Sequence, residues 1–143
     1  MKEFDLLKLE NQLCFPLYAC SKEIIKKYKP FLDKLDLTYT QYITMLVLWE
    51  EKNINVKTLG NKLLLDSGTL TPLLKKLEEK GYIERRRSIN DERKLIVSLT
   101  KKGEELKQLS QDIPLNISKC LNITKKETID LYNLLYKVLN QLN

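Results

Sequence analysis

Leu65-Asp66-Ser67-Gly68-Thr69-Leu70-Thr71-Pro72-Leu73-Leu74-Lys75-Lys76-Leu77-Glu78-Glu79-Lys80-Gly81, residues 65–81, reads as a helix with both ends written into it. Asp66 or Ser67 offers the side-chain oxygen that the free amides of a first turn need, and Gly81 supplies the stop. Leu70, Leu73, Leu74 and Leu77 recur at helical spacing on one face. Just upstream, Val56 to Leu63 makes a short helix and Leu64-Leu65-Asp66 a tight turn, so the pair forms a helix-turn-helix. Just downstream, Tyr82 to Arg86 and Lys94 to Leu99 have the length of short strands, the second alternating Leu95, Val97 and Leu99 with Lys94 and Ser98. The charged turn Ser88-Ile89-Asn90-Asp91-Glu92 joins them into a hairpin. Helix, turn, helix and hairpin in that order predict a winged helix-turn-helix inside a mainly α chain with a small β-hairpin.

Further out the sequence is helical on both sides. Thr38-Tyr39-Thr40-Gln41 fits a capping box that opens an apolar helix through Ile43, Leu46, Val47 and Trp49. Residues 6–28 place Leu6, Leu9, Leu13, Leu17, Ile24, Ile25 and Tyr28 at roughly helical spacing. Pro16 is tolerated only in a first turn, which puts the start of the regular helix near Cys14 and Phe15. Beyond Thr100, Leu106, Leu109 and Ile113 read as inward-facing, and Pro114 marks a kink or break. Thr124-Lys125-Lys126-Glu127 is a second capping box, and the helix it opens has apolar residues over more than one face. Such a helix near a chain end calls for cover from neighbours, and a second copy of the chain supplies it.

At 143 residues the chain has the size of one domain. Its formal charge of +6 fits a polyanionic partner, and residues 71–102 concentrate it, with ten basic residues against five acidic ones. No stretch approaches the roughly 20 apolar residues of a membrane span, and the N-terminus lacks a basic start followed by an apolar run. A cytoplasmic protein without a membrane partner is therefore expected. Three cysteines, no histidine and no Cys-x-x-Cys pair argue against a zinc site and against a secreted disulfide framework. No metal or cofactor is expected, and the thiols are either inert core groups or redox-active.

The second helix of a helix-turn-helix points its first turns at base edges in the major groove. The expected DNA-reading set is therefore Asp66, Ser67, Thr69, Thr71, Pro72, Lys75 and Lys76 on that helix, with Arg85, Arg86, Arg87 and Arg93 on the hairpin. Small hydroxyls there reach bases or phosphates, and Pro72 can meet a thymine methyl. Arg93 is the residue expected to enter a narrow minor groove, with Asp91 and Glu92 shaping the turn beside it. The competing reading makes Ser67 and Thr69 helix caps only, and the arginines a solvated face. Adjacency of the two features favours DNA.

Several separated segments carry a resemblance: Leu9-Glu10-Asn11-Gln12-Leu13-Cys14-Phe15, Leu17-Tyr18, Tyr28-Lys29-Pro30, Leu37-Thr38-Tyr39-Thr40-Gln41-Tyr42, residues 65–77 and Asp91-Glu92-Arg93. Together they resemble the organic-hydroperoxide-sensing OhrR branch of the MarR family of transcription regulators, over residues 9 to 142. The resemblance implies one domain over 1–143, with dimerisation helices at 1–35 and 101–143 and a winged lobe over 38–99. It implies a homodimer on a pseudo-palindromic operator of double-stranded DNA, acting as a repressor. It also implies a reactive thiol at Cys14, oriented by two tyrosines of the other subunit that match Tyr28 and Tyr39. A helix start with phenolic donors nearby favours the thiolate that attacks a peroxide. Some members of the branch carry a second cysteine that closes a disulfide across the dimer, and Cys120 matches its position; the competing reading leaves Cys120 a core thiol. Cys20 lies outside the pattern and is expected to be buried and inert.

Two other readings compete. A regulator of the same family could answer to a small lipophilic or phenolic ligand, or to general oxidative or virulence signals. A thiol peroxidase is disfavoured by the absence of histidine and by Asn11, which stands where such an enzyme places a threonine three residues before its cysteine. The chain is therefore not expected to be an enzyme.

Overall fold

The capping box expected at Thr38 is formed: the Gln41 amide donates to Thr38 Oγ1 at 3.3 Å, and the Thr38 amide donates to Gln41 Oε1 at 3.0 Å. From this start α2 runs Tyr39–Glu51 and buries Gln41, Tyr42, Thr44, Met45, Leu48 and Trp49. Thr38→Ala removes one half of the reciprocal cap and is expected to cost about 1 kcal/mol in a urea melt. An unchanged midpoint would mean that the cap contributes nothing to the fold.

The structure, a computed structural model, describes residues 5–143. Before α2 comes α1, Cys14–Asp33, preceded by a single 3-10 turn at Leu9–Asn11. The helix starts at Cys14, as the position of Pro16 requires, and residues 6–13 are not part of it. It also extends past Tyr28 through Pro30 to Asp33. Pro30 lies in the last turn, and the carbonyl it leaves without an amide partner belongs to exposed Lys26, where water can satisfy it.

After α2 a three-residue strand, β1 (Asn53–Asn55), leads into α3 (Val56–Leu63) and then α4 (Ser67–Glu79). The hairpin strands are β2, Ile83–Arg87, and β3, Leu95–Leu99. β1 pairs antiparallel with β3, with Ile54 opposite Val97, so the expected hairpin is one side of a three-stranded sheet in the order β1-β3-β2. The sheet closes the lobe: Met45, Leu48, Leu59, Leu70, Leu74, Leu77, Ile83 and Val97 are almost wholly buried. α5, Lys101–Leu109, follows, capped by Thr100, whose Oγ1 accepts from the Gly103 amide at 3.1 Å. Leu106 is buried there, but Leu109, expected to face inward, is 71% exposed.

Contacts divide the chain into two compact units, the first reaching to Ile113 and the second running Pro114–Asn143. α6, Ile113–Leu121, opens at that boundary with Pro114 as its second residue, where a missing amide costs nothing. The second unit's main element is α7, Lys125–Leu142, whose start carries the capping box expected at Thr124 and Glu127. No residue of α7 is buried, and Ile129, Leu131, Leu134, Leu135 and Val138 are exposed. Among the described residues no helix is long and apolar enough to cross a membrane.

Candidate nucleic-acid interface and thiol site

The turn between α3 and α4 is held by its backbone. Leu64 takes the left-handed conformation (φ 55°, ψ 39°), and the Leu65 amide returns to the Gly60 carbonyl at 3.0 Å. A side chain at Gly60 would come within 3.0 Å of the Leu65 carbonyl, so the glycine lets the turn fold back on α3. Asp66 then caps α4, its Oδ1 accepting from the Thr69 amide at 2.8 Å. That hydrogen bond holds the Asp66 carboxyl below the usual aspartate range.

Along α4 the two faces separate cleanly. Leu70, Leu73, Leu74 and Leu77 are buried, whereas Ser67, Thr69, Thr71, Pro72, Lys75 and Lys76 are all exposed. The cap on this helix is Asp66, so the side chains of Ser67 and Thr69 are not consumed in capping. A cleft of about 490 Å³ lies between the start of α4, α3 and the hairpin, lined among others by Asn55, Lys57, Asn61, Ser67, Arg93 and Lys94.

The four hairpin arginines fall into two groups. Arg86, Arg87 and Arg93 are exposed, the Arg93 side chain by 92%. Asp91 shapes the tip, accepting from the Arg93 amide at 3.0 Å and from Arg93 Nε at 3.2 Å. Arg85 is different: its backbone amide and Nη2 both donate to the Glu78 carboxylate, at 3.0 and 3.1 Å, and its side chain is only 21% exposed. Its Nε is buried without a partner among the described residues. The guanidinium hydrogen bond holds the Glu78 carboxyl below the usual range. In this structure Arg85 ties β2 to the end of α4 and does not face solvent beside the other three.

Of the groups expected at the thiol site, Cys14, Tyr28 and Tyr39 lie on α1 and α2 of the first unit, and Cys120 lies on α6. Cys14, at the first position of α1, Cys20 and Cys120 are all exposed and unpaired. Cys20 was expected to be buried; six residues beyond Cys14, it lies on another side of α1, and the chain covers neither side. Tyr28 of α1 and Tyr39 of α2 meet with ring centroids 4.9 Å apart. Tyr42, one turn along α2, completes a triad at 5.8 Å from Tyr28 and 6.4 Å from Tyr39. The sequence reading did not single out Tyr42; its spacing of three from Tyr39 on an apolar helix was the available signal. Burial, with the neighbouring phenols Tyr39 and Tyr42 adding to it, pushes Tyr28 up to about 12, and burial also raises Tyr39 and Tyr42.

The sign of that shift fixes an alkaline response. A group whose folded value lies above its unfolded one contributes stability that is whole below the unfolded value, 10.0, and disappears as pH climbs through about 12. Melting temperature is therefore expected to fall across that window, with tyrosinate absorbance from the triad rising together with loss of helical circular dichroism. Titration of all seven tyrosines near their ordinary value in an intact fold is the contrary result.

Among the described residues no cluster of histidine, cysteine and carboxylate side chains could hold a metal ion. Comparison with known proteins gives a consistent set of likenesses. A sequence model of the family described as transcriptional regulator SarA/Rot matches residues 26–109. The organic hydroperoxide resistance transcriptional regulator of Bacillus subtilis (strain 168) is 51% identical, with 99% of this chain and 96% of that protein covered. The solved structure of reduced AbfR bound to DNA is similar over 99% of each chain at 35% identity and a TM-score of 0.78. That of disulfide-formed AbfR is similar over 96% of this chain and 94% of the other, at 37% identity and a TM-score of 0.65.

Proposed function

Since this chain belongs to the SarA/Rot family within the MarR-type winged-helix transcriptional regulators, we propose that it is a DNA-binding repressor whose hold on its operator is released by oxidation of Cys14. It is a regulator and not an enzyme, and we place it in the cytoplasm as a homodimer. The observation that carries the DNA-binding half is the division of α4, with four leucines locked in the core and hydroxyls, Pro72 and two lysines presented outward beside a basic hairpin tip. Ser67, Thr69, Thr71 and Pro72 would read the major groove with Lys75 and Lys76 on phosphates, while Arg93, Arg86 and Arg87 engage the backbone and minor groove. Asp66 acts as the cap that presents the helix. Arg85 sets the angle of the hairpin to α4 through Glu78.

The thiol chemistry follows from an exposed sulfur at a helix start. Cys14 sulfur attacks the terminal oxygen of an organic hydroperoxide; the S–O bond forms, the O–O bond breaks, and the two electrons lost by sulfur leave on the alkoxide, which takes the proton as an alcohol. The resulting sulfenic acid condenses with the thiol of Cys120 of the partner subunit, forming a disulfide and releasing water. Tyr28 and Tyr39 of the partner subunit donate hydrogen bonds that orient Cys14. The likeness to AbfR, which has been solved with a disulfide formed, supports the disulfide step.

The test is a salt-titrated operator-binding measurement on reduced protein and on protein treated with cumene hydroperoxide. Reduced protein is expected to bind with a steep salt dependence, because each neutralised phosphate releases counterions. Arg93→Ala is expected to weaken binding about tenfold and lower the salt slope by about one. Treated protein is expected to let go and to migrate as a cross-linked dimer on non-reducing electrophoresis. A chain that fails to hold any promoter fragment at low ionic strength would end the DNA-binding reading.

A further inference from the structure

The two phenols of the proposed thiol site have little of their own to hold them. Tyr28 and Tyr39 sit on different helices, both are half-buried, and among the described residues neither hydroxyl has a hydrogen-bond partner within the chain. Their orientation therefore depends on ring packing. The ring that packs on both is Tyr42, which is 3% exposed and far more constrained than either. On its other side Tyr42 meets Trp49 edge-on, with centroids 6.4 Å apart. Trp49 is itself fixed, its Nε1 donating to the Gly103 carbonyl at 2.9 Å in the first turn of α5. An anchored indole holds a buried phenol, and the buried phenol holds two half-buried ones.

We propose that Tyr42 is a positioning residue for the oxidation of Cys14, acting through the ring orientations of Tyr28 and Tyr39. This rests on the reading that those two tyrosines orient Cys14 across the dimer. Tilted pairs of this kind have a preferred geometry, and a flat ring on one side restricts the other two to a narrow set of angles. Hydrogen-bond donors aimed at a reacting sulfur lose effect steeply when displaced, since a shift of about 1 Å can cost as much as about 100-fold in rate. The hydroxyl of Tyr42 takes no part in this; the ring does.

The experiment follows loss of alkylatable Cys14 by mass spectrometry after mixing the reduced full chain with cumene hydroperoxide. Tyr42→Leu is expected to slow the reaction about tenfold or more and to weaken the near-ultraviolet tyrosine dichroism. Tyr42→Phe, which keeps the ring, is expected to restore both to within about twofold of the parent. Operator affinity of the reduced protein should stay within about threefold in each, which a general loss of structure would not allow. Should Tyr42→Leu lose its cooperative melt, Tyr42→Met supplies a longer, flexible side chain that adapts to the space without a flat ring, with the same expected slowing. Parent-like oxidation in a folded leucine or methionine variant overturns the proposal, as does a slowing matched by lost operator affinity. Tyr28→Phe and Tyr39→Phe separate the two levels: if both slow the reaction while Tyr42→Leu does not, only the role of Tyr42 falls. If neither slows it, the tyrosine pair is not part of the thiol site and both readings fall.

Discussion

Cys14→Ser is expected to leave the reduced protein's operator affinity within about threefold of the parent and to abolish its response to an organic hydroperoxide. The parent should lose roughly 100-fold in affinity on treatment, toward the upper end of what coupled sites within one protein deliver. The serine hydroxyl keeps the size of the thiol but cannot form a sulfenic acid, so the ratio of untreated to treated affinity should fall to about one. Cys14 is exposed at the first position of α1, so the substitution disturbs no packing within the chain. Cys20→Ser is the matched control; it removes another exposed thiol on the same helix and should respond like the parent. Release that persists undiminished in Cys14→Ser would favour a regulator that answers to a bound small molecule.

The second large effect is on stability. Gly103→Ala is expected to cost about 3 kcal/mol, the upper part of the range for overpacking a tight site. At roughly 2–4 °C per kcal/mol for a chain of this size, the melting temperature should fall by about 10 °C. A methyl there would sit 2.3 Å from the Tyr82 carbonyl oxygen and 2.7 Å from Leu99 Cδ1. The first obstacle is backbone and cannot swing aside, so the start of α5 must move. That movement would strain the Thr100 amide bond to Tyr82 at 3.1 Å and the Trp49 bond to the Gly103 carbonyl. Gly68→Ala is the contrast: its methyl would meet only the Asp66 side chain at 3.4 Å, within a helix that favours alanine. Equal melting temperatures for the two variants would contradict the packing described.

The lobe was legible because its punctuation is local. Caps at Thr38, Asp66 and Thr124 and the stop at Gly81 act within a few residues, and the sequence states each of them. Strand β1 was not legible, because Asn53-Ile54-Asn55 is too short to carry a pattern and becomes a strand only by pairing with β3. The continuation of α1 through Pro30 was hidden for a related reason: whether a lost hydrogen bond is tolerated depends on solvent at one carbonyl. Four arginines look alike in sequence, and only the position of Glu78 in the last turn of α4 singles out Arg85. Tyr28 and Tyr39 were matched through a family likeness. Their direct contact, and the ring of Tyr42 behind them, are properties of how two helices pack. Leu109 and Cys20 were expected to lie inside, and a single protomer gives neither a cover.

The bare α7 makes protein concentration a thermodynamic variable. With no residue of that helix buried, a free protomer exposes a long oily surface, and association supplies folding energy in proportion to the logarithm of the amount present. The melting temperature should climb on going from nanomolar to micromolar solutions. Newly made or diluted chains would be the ones a protease finds first, so a cell could clear the regulator simply by letting its level fall.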